Sequence, residues 1–329
     1  MRKIRWGILG CGKIARKFAS DLKWVEHSVC FAVASTDPNR ALDFAKTYGF
    51  EQAFDSYQKL VESDVDVIYI ATPHGFHYEH VMLCLNHKKA VLCEKAFALN
   101  SKQLQEMVST ARTNKIFLME AFWTRFLPQY LKTSELLQGH AIGSIAMISA
   151  DFGFKASEPP APRLYEPRLG GGALLDIGIY PVFLAVSLLG RPSQVTAVMD
   201  PFESGVDRQI SIALQFSSGA LASLNASLVS DTPVEAVING TSGRIRLTNR
   251  FHNPSARLYL SSGDAIEKEI EVYREHGNGY QFEARHVQEC LQVGATESPM
   301  WSLDSSLLLM ETLDRIRMAC GISYPHLEF

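Results

Sequence analysis

Over the first 120 residues, short aliphatic and β-branched runs alternate with segments whose apolar positions recur at spacings of three and four. Residues 4–9, 29–34, 67–71, 90–94 and 116–120 read as buried strands. Residues 14–22, 40–48, 57–61, 77–86 and 101–114 read as the helices between them. Such alternation of strand and helix is the mark of βαβ units, so the pattern predicts a doubly wound parallel sheet.

The pattern changes after about residue 122. From about 142 the strands are longer and alternate cleanly, as with Ile210, Ile212, Leu214 and Phe216 interleaved with Gln209, Ser211, Ala213 and Gln215. Residues 219–229 do the same, with Leu224, Ala226 and Leu228 on one face and Ser223, Asn225 and Ser227 on the other. One face is then buried by helices while the other is polar or paired, as in an open, mostly antiparallel sheet. The expected covering helices are 172–189, 280–293 and 303–320. Residues 180 and 181 read Tyr-Pro, so the first of these helices is expected to break at Tyr180 and restart at Pro181. The chain is therefore expected to be α/β, with a Rossmann domain over 1–122 and an α+β substrate-binding and dimerisation domain over 123–329. The proline- and glycine-rich stretch 155–172 reads as a long, functional loop.

Composition narrows the partners. The chain has 329 residues, 47% hydrophobic and 20% charged, with 32 Lys plus Arg against 35 Asp plus Glu. That balance argues against a nucleic acid or an acidic membrane as the main partner. No apolar run reaches the roughly 18 residues a membrane helix needs, the longest being 181–189. A glycine cluster follows the basic N-terminus where a signal peptide would carry its apolar core, so a mature cytoplasmic protein is expected. The six cysteines form no CxxC pair and suit reduced thiols. The ten histidines show no ligand spacing, and no metal is expected.

The first strand runs into Gly10-Cys11-Gly12-Lys13-Ile14-Ala15, with a helix following at once. Gly10 allows the tight turn, Gly12 removes a Cβ that would meet a pyrophosphate, and Ala15 lets helix pack on strand. The helix start offers unpaired amides and partial positive charge to the anion. Gly10, Gly12, Lys13 and Ile14 are thus candidate dinucleotide contacts. At the end of the second strand, Ser35 stands where an acidic residue would bind the ribose 2′-hydroxyl of NAD. Ser35, Thr36 and Arg40 can surround a 2′-phosphate, which favours NADP; Asp37 keeps NAD possible. Further along, Ala71-Thr72-Pro73-His74 and Cys93-Glu94-Lys95 end two strands at the carboxyl edge, where ligands bind in such sheets.

Gly10-Cys11-Gly12, Ala71-Thr72-Pro73 with His77, Cys93-Glu94-Lys95, and the run from Gly170 through Asp176 to Tyr180 together resemble the glucose-fructose oxidoreductase and inositol dehydrogenase (Gfo/Idh/MocA) family. Met119 to Phe126 and Glu297-Ser298-Pro299 are similar, more narrowly, to its dihydrodiol and NADP-dependent xylose dehydrogenase branch. Most of the family reads Glu-Lys-Pro where this chain has Ala96, which is expected to loosen the backbone there. Tyr180 stands where the family majority has histidine, in keeping with that branch.

The resemblance implies hydride transfer between nicotinamide and a CH–OH group of a cyclic sugar or trans-dihydrodiol. Tyr180 is the expected proton acceptor. Working near neutral pH asks its phenol to drop about 2 to 3 pH units, about 3 to 4 kcal/mol, and the Lys95 cation favours that. Asp176 is expected to orient substrate or lysine; as an alternative it caps a helix. Ala71, Thr72, His77, Glu94, Trp123 and Arg125 are further candidate cofactor contacts, although His77 equally suits packing of the following helix. His74, Phe152, Arg163 and Tyr165 are candidate substrate contacts. Two alternatives stay open: a family oxidoreductase of larger glycosides or inositol with tightly held NAD, and a non-catalytic NAD(P)-binding regulator. The polar sheet face is expected to form a homodimer.

Overall fold

The computed structural model describes residues 2–263 and 266–324. The chain divides into two compact units: residues up to Phe126 together with Glu275–Leu307, and Leu127–Arg274 together with residues from Leu308 onward.

The first unit is a six-stranded parallel sheet in the order β3-β2-β1-β4-β5-β6, formed by β1 (Ile4–Leu9), β2 (Ser28–Ala34), β3 (Gln52–Phe54), β4 (Val67–Ile70), β5 (Ala90–Glu94) and β6 (Leu118–Ala121). The helices α1 (Lys13–Asp21), α2 (Pro38–Tyr48), α3 (Tyr57–Glu62), α4 (His77–Asn86) and α5 (Ser101–Asn114) alternate with the strands. The sequence pattern predicted five of these strands. The sixth, β3, has three residues and carries too little periodicity to announce itself; it pairs with β2 from Ala32↔Gln52 to Ala34↔Phe54. The strands β4 and β5 are buried at every position, as both faces of a parallel sheet are covered.

The second unit holds an eight-stranded sheet in the order β14-β13-β12-β11-β7-β10-β9-β8. Its strands are β7 (Ile145–Gly153), β8 (Pro192–Pro201), β9 (Asp207–Phe216), β10 (Leu221–Ser227), β11 (Ala236–Gly240), β12 (Gly243–Thr248), β13 (Arg257–Ser262) and β14 (Lys268–Ile270). Every pairing is antiparallel except β7 with β10. The expected mostly antiparallel sheet is therefore present. Along β9 and β10, Ile210, Ile212, Leu214, Ala222, Leu224 and Ala226 are buried, while Ser211, Ala213, Ser223 and Asn225 face outward. The helices α6 (Pro128–Gln138), α7 (Pro162–Tyr165) and α8 (Ile179–Leu189) belong to this unit.

Two further helices close the chain, α9 (Tyr280–Gln292) and α10 (Leu303–Cys320). The apolar pattern gave α9 its length, but not its place. Instead of covering the second sheet it packs in the first unit. Asp21 at the end of α1 accepts hydrogen bonds from the amides of Asn278 and Tyr280 at 2.8–3.0 Å, and Trp6 Nε1 donates to Gln288 Oε1 at 3.2 Å. An amphipathic pattern specifies a buried face and not the surface that buries it.

The helix bearing Tyr180 departs from expectation in two ways. No break occurs at Tyr180: a π-turn, Leu174–Gly178, leads directly into α8, and Pro181 falls in the first turn of α8, where a missing N–H costs little. The irregularity thus precedes Tyr180. With its flanking turns, Pro167–Leu189 has 23 residues and holds an 18-residue window of mean hydropathy 1.9, enough to cross a membrane by length and composition and longer than the nine-residue run counted in the sequence. Of that window, 78% is buried inside the protein, as in a core helix.

Candidate active site

The glycine turn after β1 is built for an anion. Gly10 has φ +98°, and a Cβ there would lie 3.0 Å from Thr72 Cγ2 and 3.2 Å from the Ala71 carbonyl oxygen, so only glycine fits. Gly12 caps α1 with no side chain bonded to the first amides, and a Cβ there would meet no protein atom nearer than the Ala71 oxygen at 3.6 Å. The space and the free amides suit a pyrophosphate, which would be held by Gly10 to Ile14. Lys13 and Ile14 are exposed beside this turn, and Ala15 is fully buried against the sheet.

At the end of β2, Ser35 is buried and its Oγ accepts the Asp37 amide at 3.2 Å. Asp37 is the N-cap of α2: its Oδ1 accepts the amides of Asn39 at 3.0 Å and Arg40 at 3.2 Å. Its other oxygen lies 3.9 Å from the Arg40 guanidinium. The carboxylate that could have bound a ribose diol is thus engaged in a cap. Thr36 and Arg40 are exposed beside it.

Across the sheet, the ends of β4 and β5 are tied together by a histidine. His77, fully buried at the start of α4, sets Nδ1 2.7 Å from the Ala96 oxygen and Nε2 2.8 Å from the Thr72 oxygen. Burial pushes its pKa down to about 4. The ring therefore braces the turn after Lys95, where alanine was expected to leave the backbone loose. Thr72 Oγ1 also meets His80 Nδ1 at 3.0 Å, and the His74 ring stands edge-on to His77 at 5.6 Å. Lys95 is half-buried immediately after β5. Glu94 points into the core, where Tyr69 donates its hydroxyl to Oε1, and burial raises its carboxyl to about 7. Trp123 is nearly buried and stacks on Tyr280 at 4.7 Å, while Arg125 Nε donates to the Met300 oxygen at 2.9 Å.

The second unit gathers most of the remaining candidates around α8. Tyr180 is 8% exposed. Phe152 on β7 lies 5.7 Å from its ring, and His252 lies 4.6 Å from it and stacks on Phe152 at 4.2 Å. Asp176, in the π-turn, receives Arg163 Nη1 at 2.9 and 3.0 Å. Asp176 is not the cap of this segment. That part is taken by Asp207, whose Oδ2 accepts the Leu174 amide at 2.6 Å. Tyr165 stands apart: its ring faces Phe202 at 6.2 Å and lines a cavity of about 740 Å³ together with Lys155, Phe202 and Arg208.

Two residues here escaped the sequence. His252 is a lone histidine in the turn between β12 and β13, and Asp207 is a lone aspartate opening β9; neither carries a motif. Among the described residues no group of three or more His, Cys, Asp or Glu could hold a metal.

The chain matches the family model for the oxidoreductase family with NAD-binding Rossmann fold over residues 4–122, and the GFO/IDH/MocA C-terminal domain over 130–246. It is 37% identical to trans-1,2-dihydrobenzene-1,2-diol dehydrogenase of Xenopus tropicalis, covering 98% of this chain and 99% of that one. The Mus musculus protein of the same name is 38% identical, with 98% of each chain covered. Among solved structures, an aldose-aldose oxidoreductase from Caulobacter crescentus superposes with a TM-score of 0.89 at 25% identity, over 97% of this chain and 98% of that one. A 3-ketoreductase from Actinomadura kijaniata, solved with NADP, gives 0.87 at 27%, with the same coverage. The chain belongs to the GFO/IDH/MocA family and is an NAD(P)-dependent oxidoreductase of CH–OH groups.

Proposed function

We propose that the protein oxidises a secondary or hemiacetal CH–OH of a small ring, an aldopyranose such as D-xylose or a trans-dihydrodiol, with NADP as the preferred cofactor. The observation that carries this reading is the seat around Tyr180: a phenol at the start of α8, walled by the rings of Phe152 and His252. Flat apolar rings beside a single proton acceptor suit a compact ring with hydroxyl groups on its edge. A nicotinamide nucleotide held at the turn from Gly10 to Ile14 would supply the hydride chemistry. Tyr180 accepts the hydroxyl proton, and Lys95 is the cation that favours its phenolate. The ion pair with Arg163 fixes the direction in which Asp176 presents its carboxylate to a substrate hydroxyl. His74 is a further substrate contact.

The preference for NADP is supported by Asp37, which spends its carboxylate on the α2 cap and so leaves Ser35, Thr36 and Arg40 for a 2′-phosphate. In the first unit, the glycine turn, Ala71, Thr72, Trp123 and Arg125 serve cofactor binding, and His77 and Glu94 support it from within. The second unit serves substrate and assembly. Its outward sheet face carries Met147, Val198 and Leu221 in the open, 41 to 68% exposed, among polar side chains. A homodimer through that face is part of the proposal, and a monomer by analytical ultracentrifugation would remove it.

The test is a panel of aldopyranoses and trans-dihydrodiols assayed with NADP and NAD by absorbance of the reduced nicotinamide. Turnover of at least one small ring, faster with NADP, is the expected result; inactivity on all of them overturns the substrate class. The fold shared with an aldose-aldose oxidoreductase supports a second reading, in which the nucleotide is retained and recycled. Nucleotide absorbance in the purified protein would favour it.

A further inference from the structure

The segment that carries Asp176 and Tyr180 begins in three consecutive glycines, Gly170 to Gly172, two of them at positive φ. Such a sequence specifies its own path poorly. A π-turn follows, and it is a register choice. Were the turn to tighten to an α-turn, the residues on its two sides would rotate relative to one another by about 100°. α8 is held by its own burial, with eight of its residues, Ile179 to Val186, in the core. On the side bearing Asp176, Leu174, Leu175, Ile177 and Gly178 are buried too, so burial favours a packed turn there and the hydrogen bonds decide its register.

Within the segment the Asp176 amide donates to the Gly172 oxygen at 3.3 Å, and the remaining support comes from elsewhere in the unit. Gly171 is fixed by the Tyr324 hydroxyl, which donates to its oxygen at 2.7 Å, and Gly172 donates to the Leu164 oxygen at 2.9 Å. The first amide after this anchor that can set the register is Leu174, and Asp207 takes it. Asp207 is fully buried, its Oδ1 has no hydrogen-bond partner, and that oxygen sits where a Cβ on Gly172 would be, 2.3 Å away. The side chain thus fills the notch left by Gly172. A buried carboxyl with one unanswered oxygen is costly to maintain, which sets Asp207 apart from an ordinary surface cap.

We infer that Asp207 is a positioning residue for the reaction, pinning Leu174 so that the π-turn keeps Asp176 and Tyr180 in catalytic register. The inference rests on the proposed roles of those two residues.

The test compares Asp207→Ala, Asp207→Asn and Tyr180→Phe in the full-length protein. Asparagine keeps an acceptor oxygen for Leu174, and alanine does not. Asp207→Ala is expected to lower kcat by about 100-fold, the scale for misplacing a catalytic group by about 1 Å. Its NADPH dissociation constant should stay within twofold of wild type, and hydrogen exchange should speed up in peptides covering residues 172–182. Asp207→Asn should restore kcat to within about tenfold of wild type. Wild-type turnover in Asp207→Ala overturns the inference, and so does an Asn variant that loses more than tenfold in kcat, even where the Ala variant does not fold. Activity surviving in Tyr180→Phe would instead remove the reading beneath it, whatever Asp207 does.

Discussion

Tyr69 donates its hydroxyl to Oε1 of Glu94, the last residue of β5 and the one before Lys95. The contact lies inside the sheet, with the Phe18 ring stacked on Tyr69 at 3.7 Å. It answers part of the cost of burying a carboxyl directly beneath the strand end that presents the lysine. Tyr69→Phe removes the donor and leaves the carboxyl in place, so it should destabilise the protein by roughly 1–3 kcal/mol. Urea denaturation at pH 7 measures this; an unchanged midpoint would show the bond to be energetically idle.

A second buried acid sets the pH response. Glu283 on α9 is fully buried, neither of its carboxyl oxygens has a hydrogen-bond partner, and burial, with Glu94 and Asp21 nearby, drives its pKa well above the usual carboxyl value. A carboxyl raised on folding binds more protons in the native state than in the unfolded one, so stability falls as pH rises through the interval between the two values. Glu94 and Glu120, each raised to about 7, act in the same direction between about pH 4.5 and 7. Glu283→Gln removes one of these titrations. The stability lost by the wild type between pH 5 and pH 8 should shrink by at least about 1 kcal/mol in the variant, roughly one pH unit's worth of shift. Thermal denaturation across that range would show the flattening, and parallel curves would contradict it.

Tyr180→Phe keeps the aromatic packing with Phe152 and His252 while deleting the proposed proton acceptor. Turnover should fall by about 100-fold or more, the range for losing a general base. NADPH binding, followed by nucleotide fluorescence, should hold within twofold. Equal losses in both would mean that the tyrosine supports the fold and not the chemistry.

Cofactor choice is tested at the end of β2. Arg40→Ala should weaken NADPH about tenfold, the equivalent of one charge-assisted hydrogen bond of roughly 1.5 kcal/mol, and leave NADH unaffected. Ser35→Asp should reverse the preference, because the Asp37 amide keeps an acceptor while the added charge repels a 2′-phosphate. Matching changes for both nucleotides in Arg40→Ala would take Arg40 out of the phosphate site.

Much of the fold is legible in the sequence. The strands β1, β2, β4, β5 and β6 are mainly apolar, with single polar residues such as Arg5, Ser28 and Glu120, because both faces of a parallel sheet are covered, and β9 and β10 alternate because only one face is. Gly10 and Gly12 could be read because a tight turn and a close approach tolerate no side chain. What stayed hidden depends on long-range placement. The burial of α9 against α1 rests on Asp21 meeting residues 278 and 280, some 257 positions away. His252 and Asp207 are single polar residues, and only the folded sheet brings them to Tyr180 and Leu174. The π-turn likewise leaves no periodic trace, since one added residue shifts the pattern without erasing it.

The two rings beside Tyr180 are mounted differently. Phe152 is paired with Ala226 within the eight-stranded sheet, whereas His252 rides on the turn between β12 and β13, outside any ladder. A change at Phe152 must be absorbed by neighbouring strands. His252 is nearly buried against Phe152, Tyr180 and Phe251, so a change there is absorbed by those rings and the turn, and the proposed seat can be reshaped from a position that carries no ladder hydrogen bonds.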